Sequence, residues 1–213
     1  SNNTIYGTQF MDFPKTDVPL ACDMSSDFMW RPFDVKPFGF IYAGAQKNIG
    51  PSGVVVTLIR DDLLAQCRPD LPTMLKYGTH ADSNSLFNTP PTWGIYILRN
   101  VLAYNKSIGG LPAIEAANRA KAELLYGCID RHAGFFQAHV TVKEHRSFMN
   151  VDFKLPSTEL DDKFVSEAKK AGMVGLKGYR DLGGIRVSMY NAVTVDQVRT
   201  LVAFMEEFVR VNG

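Results

Sequence analysis

Residues Ala43 to Val56 read AGAQKNIGPSGVVV, a lysine set among small residues at the end of an apolar run. Lys47 has Ala43, Gly44 and Ala45 before it and Gly50, Ser52 and Gly53 after it. Most lysines are solvated surface charges. A lysine in this setting points elsewhere, because the absence of bulk lets a planar ring approach the backbone closely. Shielding from water also weakens the preference for the ammonium form and makes the amine a better nucleophile. Those are the conditions for a Schiff base with an aldehyde cofactor.

Upstream, PLACDM ends an apolar run on Asp23. A carboxylate at the C-terminal end of a buried strand is costly unless a cation meets it, and a protonated pyridine nitrogen is one such cation. The alternative reading is a helix N-cap, since Ser25 and Ser26 follow in a turn-like DMSSD. Three short apolar runs, Val18 to Cys22, Phe38 to Tyr42 and Gly53 to Arg60, are expected to be interior strands of one sheet.

Downstream, Pro90-Pro91 stops what precedes it, and a helix is predicted from about Thr92 to Tyr104. Asn105 to Gly110 reads as a turn. Pro112 is expected to open a long helix to about Asp130, with Ile114, Ala117, Leu124, Leu125 and Cys128 on its inner face. Phe148 to Phe153 alternates as a strand, and a helix follows with Leu160, Phe164, Val165 and Ala168 inward. GGIRVSMYN (Gly183 to Asn191) is a turn followed by a strand. Thr194 to Gln197 reads as a capping box opening a last helix, with Val195, Val198, Leu201, Val202, Met205 and Phe208 inward. A composition break at Phe135 to Arg146 suggests two units, 1–140 and 141–213.

Two polar clusters stand out on loops. Arg186 follows Gly183-Gly184, and its guanidinium fork suits two-point contact with a carboxylate, a surface salt bridge being the alternative. Asn88-Thr89 offers an amide and a hydroxyl ahead of two prolines, or else forms a simple turn.

With 46% hydrophobic residues and 21% charged, the 213-residue chain can bury a sizeable core. A formal net charge of +1 gives no global field for nucleic acid or an anionic membrane, and no partner of either kind is expected. No apolar run reaches spanning length, and no basic-then-apolar leader is visible in SNNTIYGTQF. Three cysteines without C-x-x-C spacing read as reduced thiols of a cytoplasmic protein. Four histidines show no ligand spacing, so no metal site is expected.

Asp23 to Leu64 closely resembles the central segment of phosphoserine aminotransferases. So do SLFNTPPT (Ser85 to Thr92), LKGYRDLGGIRVSMYNAV (Leu176 to Val193) and NNTIYGTQF (Asn2 to Phe10), in the same order and over essentially the whole chain. The resemblance implies an α/β fold, that of fold-type I transferases dependent on pyridoxal 5'-phosphate. The chain would then hold the end of the large cofactor domain and a small C-terminal α+β domain, and would lack the family's N-terminal part.

The resemblance also implies roles. Lys47 would hold the cofactor and shuttle the substrate proton, and Asp23 would pair the pyridine nitrogen. Thr4, on which the residues alone say nothing, would bond the ring's phenolic oxygen. Gln46 would touch the cofactor phosphate, and Asn88 and Thr89 the phosphate of a neighbouring subunit, making a homodimer with shared sites. Arg186 would hold the substrate α-carboxylate, and Arg180 beside Tyr179 its phosphate or side-chain carboxylate. The implied reaction moves an amino group between O-phospho-L-serine and 2-oxoglutarate in serine biosynthesis. Two departures bear on it: Tyr179 stands where the family has His, and Trp30 where a small Ser is common. The rivals are a related aminotransferase of altered substrate choice and a non-catalytic fragment.

Overall fold

The structure, a computed structural model, describes residues 1–213. After an irregular opening come β1 (Leu20–Asp23), β2 (Phe38–Gly44) and β3 (Val55–Ile59), in the spatial order β1-β2-β3. β1 runs parallel to β2, and β3 returns antiparallel. All three expected strands form, but only β2 is interior. β3 is an edge with Val55 and Leu58 exposed, and β1 pairs on one side alone. An apolar run announces extended backbone, whereas burial depends on what covers it, which the run does not encode.

The β1–β2 pairing contains a register shift. Leu20 lies opposite Phe38 but Ala21 lies opposite Phe40, which brings Asp23 opposite Tyr42. The residue passed over is Gly39, where a Cβ would collide with Leu63 and Pro19. Because β1 and β2 are parallel, Asp23 and the loop after Gly44 leave the sheet at the same end, where ligands gather in α/β folds.

Helices α1 (Asp61–Leu64), α2 (Tyr77–Asp82), α3 (Thr92–Ser107) and α4 (Gly110–Arg131) follow. α3 runs on through Ser107, so the expected turn at 105–110 shrinks to Ile108 and Gly109. Gly109 serves as the N-cap of α4 with φ 107°, a conformation that glycine adopts without strain. Pro112 sits in the first turn of α4, where its missing N–H costs nothing. Ile114, Leu125 and Cys128 are buried as expected, but Ala117 faces solvent and the stripe instead includes Asn118 and Lys121. These polar residues are inside because they serve backbone carbonyls. Lys121 donates to the carbonyls of Met189 at 2.8 Å and Tyr190 at 3.0 Å, and Asn118 to that of Trp30 at 3.2 Å.

The rest is β4 (Gln137–Ala138), β5 (Asn150–Lys154), α5 (Thr158–Lys170), β6 (Ile185–Ser188) and α6 (Val195–Asn212), with an antiparallel sheet ordered β4-β5-β6. α6 opens on the expected capping box: Thr194 Oγ1 accepts from Gln197 N at 3.2 Å, and Gln197 Oε1 accepts from Thr194 N at 2.9 Å. Its inner face buries Val198, Leu201, Met205 and Phe208, while Val195 and Val202 lie at the margin. The main core joins both helices, the sheet and the second half of α4, and includes Ala122, Leu125 and Phe136 upstream of residue 141. Phe136, Phe153, Phe164 and Phe208 meet there largely edge to face, the arrangement aromatic quadrupoles favour. The β1-β2-β3 sheet has a much smaller core of Met24, Phe38 and Ile41.

Hydrogen bonds tie the two sheets' surroundings together. Asn2 donates through Nδ2 to Ser26 Oγ and to Asn150 Oδ1, each at 2.9 Å. Asn191 donates to the carbonyl of Met29 at 3.0 Å, and Asn118 donates to Asn191 Oδ1 at 3.0 Å. Trp30 is buried and stacks on Phe148 at 4.9 Å between ring centroids, so this departure from the family pattern fills the joint between the units. No helix is long and apolar enough to cross a membrane.

Candidate active site

Lys47 follows β2 by three residues, in the loop that turns into β3. Its Nζ donates to Thr4 Oγ1 at 2.7 Å. Burial lowers the pKa of this half-buried amine and the Arg186 guanidinium lowers it further, while Asp23 and Asp27 pull the other way; the net direction is down. The amine therefore has a hydroxyl for a partner and no carboxylate in an ion pair, which leaves it a larger neutral fraction than a surface lysine.

The small residues around Lys47 also pack the loop that carries it. Ala43 and Ala45 are fully buried beneath the loop, and Gly50 packs against Leu98 of α3. Gly44 gives room to the Gln46 side chain, since a Cβ there would lie 2.6 Å from Gln46 Oε1. Their smallness seats the lysine loop on the sheet, and Gln46 itself is exposed beside Lys47.

Asp23 ends β1. Burial disfavours its charge, but hydrogen bonds from Ser25 and from the Tyr42 phenol outweigh that and leave its pKa lowered. Ser25 N donates to Asp23 Oδ1 at 2.7 Å. The local bond of the capping alternative is thus present, but no helix follows; residues 25 to 29 form turns. Asp23 is an exposed anion at the mouth of the sheet. Tyr42, its partner across the strand pair, was missed by sequence reading and could be found only from the strand register.

Thr4 is placed by a side-chain turn. Asn3 Oδ1 accepts from the N–H groups of Ile5 and Tyr6, each at 3.0 Å, which presents Thr4 to the lysine. Arg186 reaches the site from β6. It makes no ion pair, and its Nε is buried without a partner. Its charge is felt at Lys47, and the alternative of a surface salt bridge does not form.

The structure therefore brings together Thr4, Asp23, Gln46, Lys47 and Arg186. It does not bring Asn88, Thr89 or Arg180 to them. Asn88 and Thr89 are exposed on the loop before α3, and Asn88 bonds only the neighbouring Thr89 carbonyl, at 3.4 Å. Arg180 is 85% exposed and pairs with Asp181 at 3.4 Å. Tyr179 is half-buried in a tight turn where its carbonyl accepts from Leu182 N at 3.0 Å and Gly183 N at 2.7 Å. Asn48, next to the lysine, was also missed: it is buried, donates to the Phe28 carbonyl at 3.1 Å and accepts from Asn191 N at 3.0 Å.

The donor set suits pyridoxal 5'-phosphate: a half-buried amine without a counter-ion, an anion for a ring nitrogen, a hydroxyl within reach of the amine, and a guanidinium with an orphaned Nε for a substrate carboxylate.

The family model for aminotransferase class-V matches residues 8–201. A phosphoserine aminotransferase of Lysinibacillus sphaericus is 54% identical over 209 residues, 98% of this chain and 58% of that protein. The solved phosphoserine aminotransferase of Bacillus circulans subsp. alkalophilus superposes with TM-score 0.97 at 51% identity, over 100% of this chain and 59% of that one. A phosphoserine aminotransferase from Trichomonas vaginalis, described as bound to pyridoxal phosphate, gives TM-score 0.91 at 37% identity, over 96% of this chain and 58% of that one. The chain thus spans somewhat less than three fifths of the length of these relatives.

Proposed function

We infer from one fact, that this chain belongs to the aminotransferase class-V family, and from the surroundings of Lys47, that it carries the catalytic lysine of a phosphoserine aminotransferase. The protein would be a cytoplasmic homodimer exchanging the amino group between O-phospho-L-serine and 2-oxoglutarate in serine biosynthesis. The observation that carries the reading is the Lys47 amine bonded to Thr4, with the charges of Asp23 and Arg186 acting on it from the sheet end and from β6. The identity to phosphoserine aminotransferases supports the substrate class.

When bound, pyridoxal 5'-phosphate supplies an electron sink for the carbanion formed at the substrate's Cα. Lys47 is the nucleophile that holds the cofactor's aldehyde carbon. Freed from the cofactor, the same amine would take the proton from the substrate's Cα, a task suited to an amine whose ammonium form is disfavoured. Asp23, kept anionic by Ser25 and Tyr42, holds a proton on the pyridine nitrogen. Thr4 orients the ring oxygen, and Gln46 donates to the cofactor phosphate. Arg186 grips the α-carboxylate and fixes Cα in reach of Lys47. Asn88 and Thr89, both exposed, would serve the phosphate in a second copy's site.

The outward Arg180, held by Asp181, favours a second reading in which substrate choice departs from phosphoserine. The test is turnover of phosphoserine, serine and alanine by the holoenzyme with 2-oxoglutarate as acceptor. Preference for phosphoserine supports the first reading; equal or better use of the uncharged amino acids supports the second. No amino transfer from any of them sinks both.

A further inference from the structure

Asp152 on β5 lies directly opposite Arg186 on β6. Residues so paired point to the same face of the sheet, with Cβ atoms about 4.5–5.5 Å apart. Asp152 is 4% exposed, and neither of its carboxyl oxygens has a hydrogen-bond partner. The Arg186 Nε is also buried without one. A buried carboxyl without donors is costly, and such an orphan calls for an explanation.

The groups packed around Asp152 narrow that explanation. The N-terminal turn closes over it at Gly7, where a Cβ would lie 3.1 Å from Asp152 Oδ2. From α4 the Tyr126 phenol faces it, its own ionisation suppressed by burial, with the Asp130–Arg146 ion pair beyond. His139 N donates to the Asp152 backbone carbonyl at 2.9 Å, and the His139 ring turns to Tyr6. Arg186 is the cation whose field acts on the carboxyl. Burial pushes Asp152 up to about 7, with Arg186 opposing the rise. The same guanidinium acts on Lys47.

We propose that Asp152 is a positioning residue and internal counter-charge for Arg186, one that ionises more readily when the carboxylate site is empty and holds its proton more firmly when a carboxylate ligand occupies Arg186. This rests on the reading of Arg186 as the holder of the substrate carboxylate. A ligand carboxylate in two-point contact neutralises the guanidinium and adds a second negative charge near Asp152. Two carboxylates sharing one half-buried cation repel, and taking one proton from solvent onto Asp152 relieves the repulsion. Carboxylate binding is therefore coupled to proton uptake and weakens as pH rises through and beyond about 7.

The probe is glutarate, which has the carboxylates of an acceptor acid but no amino or keto group. Titration of the holoenzyme by calorimetry, in two buffers of different ionisation heat, reads the protons taken up. At about pH 7 a sizeable fraction of a proton is expected, and Kd is expected to rise about fivefold from pH ~6.5 to pH ~8.5, the size of a one-unit shift on binding. Asp152→Asn, neutral and of the same shape, should bind glutarate at high pH as tightly as the unmodified protein does at low pH, with a flatter profile and less proton uptake. Any uptake at Lys47 is common to both proteins and cancels in the comparison. Equal heats in the two buffers for the unmodified protein, or the same pH profile in Asp152→Asn, overturns the proposal. Arg186→Ala with unchanged glutarate affinity overturns the underlying reading of Arg186 as well; loss of affinity there with no change in Asp152→Asn removes Asp152 alone.

Discussion

The side-chain oxygen of Asn48 accepts a hydrogen bond at 3.0 Å from the backbone N–H of Asn191, 143 positions further along the chain. Asn48 follows the lysine, and Asn191 lies three residues past β6, the strand that carries Arg186. One amide thus fixes the lysine loop against the strand that offers the guanidinium. Asn48→Ala leaves the Asn191 N–H and the Phe28 carbonyl without partners and should cost about 1–3 kcal/mol of stability, read from the denaturant midpoint. It should also slow turnover by about tenfold to a hundredfold through misplacement of Lys47. A stable variant with unchanged turnover would mean that the amide does not position the lysine.

Lys47→Ala in the holoenzyme should remove the visible absorption band of lysine-bound cofactor and cut turnover by about a thousandfold or more. Absorption spectra and steady-state rates check this. A variant that keeps both would take Lys47 out of its role.

Asp23→Asn should still bind cofactor but slow the half-reaction with amino donor by about tenfold to a thousandfold, because a neutral amide does not hold a proton on the pyridine nitrogen. The measurement is a single-turnover rate with phosphoserine. Rates equal to the parent's would leave Asp23 with only its turn to Ser25.

Asn88 and Thr89 can be assigned by mixing inactive subunits. In a hybrid of Lys47→Ala with Asn88→Ala/Thr89→Ala, both lesions fall in one site and the other site is whole. Random exchange makes half the dimers hybrids with one good site in two, so about a quarter of normal activity should return. No recovery after exchange is demonstrated by mass would count against residues shared across subunits.

Asp130 lies at the end of α4, where a side-chain hydrogen bond from Arg146 is the main cause that holds it down at about 2, against an ordinary 3.8. A lowered folded-state value stabilises the fold above the unfolded pKa and loses that contribution as pH falls through the folded one. Stability should therefore decline between about pH 4 and pH 2 by roughly 1–2 kcal/mol more in the parent than in Asp130→Asn. Thermal melts across that range, in parallel for both proteins, test it; identical slopes would remove the pair from acid stability.

What the sequence disclosed was local. The lysine after an apolar strand, the capping box at Thr194 and the inner stripe of α6 are all patterns within a few residues, and the structure has each of them. What it withheld were pairings between distant residues. Nothing near Asn48 points to Asn191, and nothing near Asp152 points to Arg186, because strand register and tertiary contact decide both. Lys121 shows the same limit from another side. A lysine in an amphipathic helix reads as solvent-facing, yet this one is 1% exposed, its amine held by two carbonyls after β6. Arg180 was legible as a charge but not in its direction, since Asp181 beside it offers a partner in water.

The register shift at Gly39 has a bearing on the chemistry of Asp23 through simple parity. Side chains on a strand alternate between faces, and residues directly opposite each other share a face. Were β1 and β2 paired without the shift, Asp23 would stand opposite Ile41, which is 2% exposed, and its carboxyl would be aimed into the apolar underside of the sheet. With the shift it stands opposite Tyr42 and looks outward. One passed-over residue, allowed because Leu63 and Pro19 leave no room for a side chain there, decides on which side of the sheet the anion is delivered.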